Sequence, residues 1–286
     1  MPFPLDELPV RRLTIGDLTS CSDLSQDRGW PREEHKWGLL LAAGTGYGID
    51  DPGGKGLAAA CVVTAYGSGP AAIGMLLVAD AYARQGAGLR MMRHVIAEFE
   101  GVPLTLHATA SGRPLYEKLG FQVVGQAEMV SGVFRPLDQE SAAAVATRPA
   151  KARDLPGILR LDHVVFGGDR THMITRLPAF ADQLRVVEES DGITGYAAAW
   201  PTTNHQVVGP LIARDTAGAQ ALIASLATGT DRPLRTDIDV RHAGLLDWVK
   251  DRGLEPVAFN TVMVRGIPDL PGDWTRRFAP LTVAAG

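Results

Sequence analysis

The chain has 286 residues, so about two domains of ordinary size are expected. With 45% hydrophobic and 21% charged residues it has the balance of a chain that packs a core, which excludes a disordered or low-complexity protein. A net charge of −4 argues against a binder of the nucleic-acid backbone, whose footprint is basic, while leaving open a local site for a small anion.

The two cysteines, Cys21 and Cys61, show no partnering pattern and suggest neither a disulfide framework nor a zinc site. Residues 1–7 lack a basic segment followed by an apolar one, so no signal peptide is expected. The most apolar stretch, 57–83, is interrupted by Gly67, Ser68, Gly69, Pro70 and Asp80, and reads as strand, turn, strand rather than a membrane span. The expectation is a cytoplasmic protein without metal, membrane or nucleic-acid partner.

In chain order, Val10 to Ile15 reads as a strand, and Gly16-Asp17 opens a helix to about Asp27. Pro31 suits the first turn of a second helix ending near Gly44. Leu57–Tyr66 and Ala71–Ala79 read as a hairpin closed by Gly67-Ser68-Gly69-Pro70. A turn, Arg84-Gln85-Gly86-Ala87-Gly88, leads into a helix whose apolar positions Leu89, Met92, Val95, Ile96 and Phe99 share one face. Pro103–Ala108 is a strand, Arg113–Leu119 a short helix ended by Gly120, and Phe121 begins another strand. The order is strand, two helices, a strand hairpin, helix, strand, helix, strand, a mixed α/β layer.

The second half repeats this order. Asp17-Leu18 matches Asp154-Leu155, Val78-Ala79 matches Ile212-Ala213, and Gly120 matches Gly253, at offsets of 137, 134 and 133. We expect two tandem copies, residues 1–137 and 148–286, joined by a linker at 138–147. The end of the chain, from Pro268, is expected to pack as an arm.

The segment from Leu76 to Leu89 carries the chemistry. A strand runs into a glycine-bearing turn that opens a helix, where unpaired N–H groups and the positive end of the dipole favour an anion. Glycine lets the main chain approach a bulky diphosphate closely. Arg84, with Arg90 as a further candidate, adds charge-assisted bonds. Two other phosphate motifs do not fit: Met91 stands where a dinucleotide fingerprint needs glycine, and Leu89-Arg90 stands where a P-loop needs Lys-Ser/Thr.

The run Val78-Ala79-Asp80-Ala81-Tyr82-Ala83-Arg84-Gln85-Gly86-Ala87-Gly88-Leu89, followed by Pro114-Leu115-Tyr116-Glu117-Lys118-Leu119-Gly120-Phe121, resembles two motifs of the GNAT acetyltransferase superfamily in their family order. It departs at Ala83, where the family has Arg or Gln, and at Thr109, where it has Asn. The resemblance implies two GNAT-like acyl-CoA N-acyltransferase folds, each a mixed, mostly antiparallel sheet flanked by helices. It implies acetyl-CoA as co-substrate, with the main chain of Leu76, Leu77 and Val78 on the pantetheine arm and thioester. Arg84, Gln85, Gly86, Ala87, Gly88 and Leu89 then hold the diphosphate, and Tyr116 faces the leaving thiolate. A thiol titrates near 8.5 and a phenol near 10, so a hydrogen bond to the thiolate is the safer role than full proton transfer.

The acceptor, a small-molecule or peptide amine, must be neutral to attack. Trp30 and His107 are candidate acceptor-side residues, with Trp37, Asp80, Glu33, Glu34 and His35 in the same region; packing, a turn or a solvated face explains each of them as well. No base is assigned. In the second copy Asp215, Thr216 and Ala217 replace the glycine turn, and Val249 replaces Tyr116, so that copy is expected to lack a coenzyme site. His163, Asp169 and Arg170 are candidates for a pocket between the halves. The expected activity is N-acetyl transfer to a primary amine in a ternary complex, by a monomer or homodimer. The alternative is a non-catalytic acyl-CoA sensor.

Overall fold

The computed structural model describes residues 7–136 and 145–286. Most of the expected linker therefore lies outside the described residues. The first copy runs β1 (Arg11–Leu13), α1 (Leu18–Asp27), α2 (Glu34–Ala43), β2 (Thr45–Asp50), β3 (Leu57–Thr64), β4 (Ala71–Val78), α3 (Ala87–Glu98), β5 (Leu104–Ala108), α4 (Arg113–Lys118) and β6 (Gln122–Gly132). The second runs β7 (Thr147–Pro149), α5 (Leu155–Phe166), the short turns α6 (Thr171–Ile174) and α7 (Leu177–Phe180), then β8 (Gln183–Glu189), β9 (Gly192–Pro201), β10 (Gln206–Ile212), α8 (Thr216–Ala227), β11 (Leu234–Asp239), α9 (Ala243–Lys250) and β12 (Glu255–Arg265). A last strand, β13 (Arg277–Ala279), follows.

The duplication is visible in side chains as well as in element order. In the first copy Arg11 binds Asp17 at 2.7 Å and Asp50 at 2.8 Å. In the second Arg148 binds Asp154 and Glu188, both at 2.6 Å. Each Arg ties its opening strand to the turn before the first helix and to the neighbouring strand.

Local details differ from the sequence reading for local reasons. β1 ends at Leu13 because Thr14 accepts from Gly16 N and its own N–H donates to the Asp17 carboxylate, which caps a 3-10 turn. Pro31 stands ahead of α2 rather than in its first turn, since Glu33 takes a left-handed φ of 48° just before the helix begins.

The strands form one sheet, ordered β1-β2-β3-β4-β5-β12-β6-β11-β10-β9-β8-β7, with β13 on β10. Only β4–β5 and β10–β11 are parallel. The centre of the sheet is an exchange. β6 leaves the first copy to pair with β11, and β12 leaves the second to pair with β5. The two exchanged strands also pair with each other, antiparallel, over Gln122–Ser131.

One face of the sheet carries α1, α2 and α5, and its apolar cluster spans both halves, from Leu24, Trp37 and Leu77 to Phe166, Tyr196 and Leu281. The other face carries α3 over Tyr47, Leu106 and Tyr116. Further along that face α8, through Leu222 and Leu226, covers Val208, Ile238 and Val249.

Candidate active site

β4 and β5 begin side by side and then part. Their parallel pairing covers Ala71↔Leu104, Ala72↔Thr105 and Ile73↔Leu106, and stops there. Beyond it β4 bulges: Ala60 faces Leu77 and Val62 faces Gly74, so Met75 and Leu76 share the single partner Cys61. Met75 has a φ of 52°, a backbone conformation that costs an unbranched residue about 1–3 kcal/mol and is held only by its surroundings. The bulge re-aims the following residues. As a result the edge of Leu76, Leu77 and Val78 that turns toward β5 carries no partner strand among the described residues.

That open edge leads into the glycine turn. Asp80 is fixed by Arg28, to which it is ion-paired, and its N–H donates to Asp27 at 2.7 Å, so Asp80 serves the turn. Arg84 and Gly86 both take positive φ, 61° and 86°, and reverse the chain into α3. Arg84 and Gln85 are exposed. The first intrahelical bond is from Arg90 N to Gly86 O, at 2.9 Å. The N–H groups of Ala87, Gly88 and Leu89 have no hydrogen-bond partner among the described residues. Nothing stands within 4 Å of the position a Cβ would take on Gly86, and on Gly88 it would meet only Val78 and Leu115 at 3.5 and 3.7 Å. The arrangement is an open set of donors at a helix N-terminus, as an anion requires.

Tyr116 lies on the same face, on α4. Its side chain is 9% exposed and packs edge-on against Phe121, with ring centroids 6.0 Å apart. Its hydroxyl has no hydrogen-bond partner among the described residues. Burial, with Cys61 adding, raises the phenol well above its ordinary value, so it stays protonated at neutral pH. Thr109, in place of the family's Asn, holds the start of this helix: its hydroxyl accepts from Gly112 N at 3.2 Å and its carbonyl from Arg113 N at 3.0 Å.

The second copy keeps the bulge and closes the gap. Val208 faces Ala199 and Leu211 faces Ala197, so Gly209-Pro210 share Ala198. Here the freed edge is taken by β13, which pairs Leu211↔Ala279 and Ile212↔Arg277. Asp215 caps α8, accepting from Gly218 N at 2.9 Å, and so places a carboxylate on the counterpart of one of the amides that Ala87–Leu89 leave free. Val249 is fully buried at the position equivalent to Tyr116.

The other sequence candidates scatter. His107 sits on the face of β5 opposite Leu106 and Tyr116, where it lines a cavity of about 50 Å³ with Thr105, Asp239, Phe166 and Arg277. Burial, with Arg277 adding, pushes its imidazole down to about 4, so it is neutral at pH 7. Trp37 is core, fully buried and donating to Ser25 Oγ at 2.8 Å, while Trp30 is 40% exposed. His163 and Asp169 are exposed. Arg170 is 2% exposed and structural: it binds Asp162 at 2.6 Å and Gly286 O at 2.8 Å, and Tyr196 donates to Asp162 as well.

A larger groove of about 430 Å³ lies between the start of α2 and the β9–β10 turn, lined by Arg32, Glu33, Lys36, Trp200, Thr202 and Arg232. Glu33 and Glu34 belong to its wall, but Glu33 is not on a solvated face: its side chain is 7% exposed and ion-paired with Lys36. His35 stacks on Phe180, with centroids 4.2 Å apart. Burial, with Arg235 adding and Asp237 opposing, pushes the Lys36 ammonium down to about 7. Sequence reasoning passed over Lys36 because an isolated lysine in a helix reads as solvent-facing. Among the described residues no group of three or more His, Cys, Asp or Glu is arranged to hold a metal ion. Nor, among the described residues, is any helix long and apolar enough to cross a membrane.

Two family profiles, both described as an acetyltransferase (GNAT) domain, match residues 59–134 and residues 158–279. The chain belongs to the GNAT acetyltransferase superfamily, as a tandem protein. A curated relative is the uncharacterized N-acetyltransferase YitH of Bacillus subtilis (strain 168), 29% identical over 229 residues, 79% of this chain and 80% of that one. Among solved structures, a candidate acetyltransferase from Pyrococcus horikoshii superposes with a TM-score of 0.82 at 17% identity, over 99% of this chain and 98% of that one. A tandem GNAT protein from the clavulanic acid biosynthesis pathway superposes with a TM-score of 0.64 at 12% identity, over 92% and 100%. At such identities the likeness to the two solved structures is one of fold.

Proposed function

We propose that the chain transfers an acetyl group from acetyl-CoA to a primary amine of a small molecule or peptide, by direct attack in a ternary complex, and that the coenzyme site lies in the first copy. The observation that carries this reading is the continuity of unpaired main chain. The free edge of Leu76–Val78 runs into the free amides of Ala87–Leu89, with the unpartnered hydroxyl of Tyr116 on the same face. In the second copy β13 takes the corresponding edge, and the Asp215 carboxylate accepts from one of the corresponding amides.

Acetyl-CoA supplies the thioester. Backbone donors of Leu76–Val78 hold the pantetheine amides and polarise the thioester carbonyl. The amides of Ala87, Gly88 and Leu89, aided by the exposed Arg84, hold the diphosphate, with Gln85 and Gly86 shaping the turn. Reaction forms an N–C bond, breaks the C–S bond and moves one proton, net, from the amine to sulfur. Tyr116, protonated, donates a hydrogen bond to the sulfur as it leaves; its pKa lies further above the thiol's than in water, so the proton itself arrives by another route. The groove between α2 and the β9–β10 turn, open to solvent and partly polar, is the acceptor's approach. Lys36 at its wall is a group able to exchange protons near pH 7.

The test is thiol release from acetyl-CoA across a panel of primary amines, with Tyr116→Phe beside the native chain. Because the hydroxyl has no protein partner, the variant should melt with the native protein and bind acetyl-CoA equally. Its kcat should fall by roughly 10²–10³, the ordinary worth of one hydrogen-bond donor aimed at developing charge. Tight binding without turnover on any amine would favour the sensor instead.

A further inference from the structure

The gap between β4 and β5 has two mouths. On the α3 face it opens toward Tyr116 and the glycine turn. On the opposite face it is covered by the end of the chain. After β13 the main chain crosses from the second copy to the first, passing Gly209, where an added Cβ would lie 2.3 Å from Pro280 O. It reaches Gly74, where an added Cβ would lie 2.2 Å from Ala284 O and 2.4 Å from Ala284 Cα. Gly74 is the first residue beyond the last β4–β5 pair and directly precedes the bulge. The contact therefore sits at the vertex of the gap.

The cover is a packed turn. Ala285 N and Gly286 N both bond to Thr282 O, at 2.9 and 3.0 Å, and Leu281 N bonds to Gly286 O at 3.2 Å. Leu281, Ala284 and Ala285 are buried in the cluster that spans both halves. Three groups hold it from outside: Tyr66 donates to Ala285 O, Arg170 binds Gly286 O at 2.8 Å, and the His107 ring meets the Val283 backbone. Glycine at position 74 leaves this backbone seated without a gap; no other residue fits there.

We propose that the turn Thr282–Gly286, contributed by the second copy, is the floor of the first copy's acyl pocket and limits it to short acyl groups. The inference rests on the coenzyme reading above. An acyl chain held by the Leu76–Val78 edge points toward the vertex, and there it meets Ala284 instead of open space. A chain longer by several methylenes displaces the turn or folds back on itself, and either costs affinity.

Titration calorimetry of the full-length protein with coenzyme A, acetyl-CoA, butyryl-CoA and hexanoyl-CoA tests this without needing the acceptor. Coenzyme A and acetyl-CoA should bind alike, and hexanoyl-CoA at least ~10-fold more weakly, in line with the size of pocket discrimination between chains differing by methylenes. Ala284→Gly, which removes the methyl nearest Gly74, should narrow the gap for butyryl-CoA and leave coenzyme A unchanged. Should that variant melt early, Val283→Ala, a neighbouring half-buried position, serves as the second probe. Equal affinity for hexanoyl-CoA and acetyl-CoA in the native protein overturns the floor alone. Failure of coenzyme A itself to bind overturns the coenzyme reading, and the floor with it.

Discussion

Two glycines in the same turn should respond to alanine differently, both in stability and in binding. Gly88 lies in the first turn of α3 outside the left-handed region, and a methyl there would make ordinary contacts with Val78 Cγ2 at 3.5 Å and Leu115 Cδ2 at 3.7 Å. Gly88→Ala should therefore stabilise the chain by about 0.4–1 kcal/mol, by restricting the unfolded state. Gly86 has open space around it but a φ of 86°, so Gly86→Ala should destabilise by about 1–2 kcal/mol through backbone strain alone. At roughly 2–4 °C per kcal/mol for a chain of this size, the two melting points should move apart, up by ~1–4 °C and down by ~2–8 °C. Coenzyme A affinity should fall in Gly86→Ala, by ~10-fold or more, equivalent to ~1.4 kcal/mol, because the strained turn re-aims the amides. It should stay close to native in Gly88→Ala, whose methyl meets only Val78 and Leu115. Thermal melts without ligand and calorimetric titrations read both quantities. If Gly86→Ala melts lower and still binds coenzyme A as the native chain does, the main chain at residues 86–89 is not the diphosphate cradle.

Other outcomes follow from the same geometry. Folded His107 is held at about 4 while an unfolded histidine titrates near 6.5, so between those values the unfolded chain binds more protons. This contribution is present above pH 6.5 and lost as pH falls toward 4, by up to about 3 kcal/mol. Denaturant midpoints of the native chain should drop over that range and those of His107→Gln should drop less; parallel curves would refute the assignment. His205 and His242 are lowered too, mainly by burial, and should leave a residual slope. Residues 1–137 expressed alone should be aggregated or dimeric on size-exclusion chromatography, since the edge of β5 that pairs with Thr261–Arg265 is bared; co-expression with 138–286 should restore a soluble complex. A first segment that ran as a folded monomer would mean that the exchanged strand is dispensable to it.

What the sequence showed of this protein was local. The glycine turn, the short helix of Tyr116 and the order of elements rest on residues close together in the chain, and those signals survive folding. The side of β5 on which His107 falls was also readable: Leu104, Leu106 and Ala108 alternate with Thr105 and His107, so the ring had to face away from the α3 core. The exchange was not readable. β6 and β12 carry similar patterns and either copy's β5 or β11 would accept either strand; the choice is made by pairing across more than a hundred residues. β2 was hard to place because Gly46 and Gly48 weaken its strand signal, and they are glycines because Leu13 packs onto them, with an added Cβ 2.8 and 2.6 Å from its side chain. The filling of the second gap was equally hidden, since three residues near the chain's end, Arg277–Ala279, look like no strand in isolation.

The central exchange bears on why a copy without an open cradle persists. Each repeat has lent its final strand to the other, so discarding either would tear a plank from its neighbour. Substitutions can reshape one repeat's loops one at a time, yet deleting it is barred. Inherited redundancy has in this way become mutual dependence, and each repeat serves as a buttress for the other.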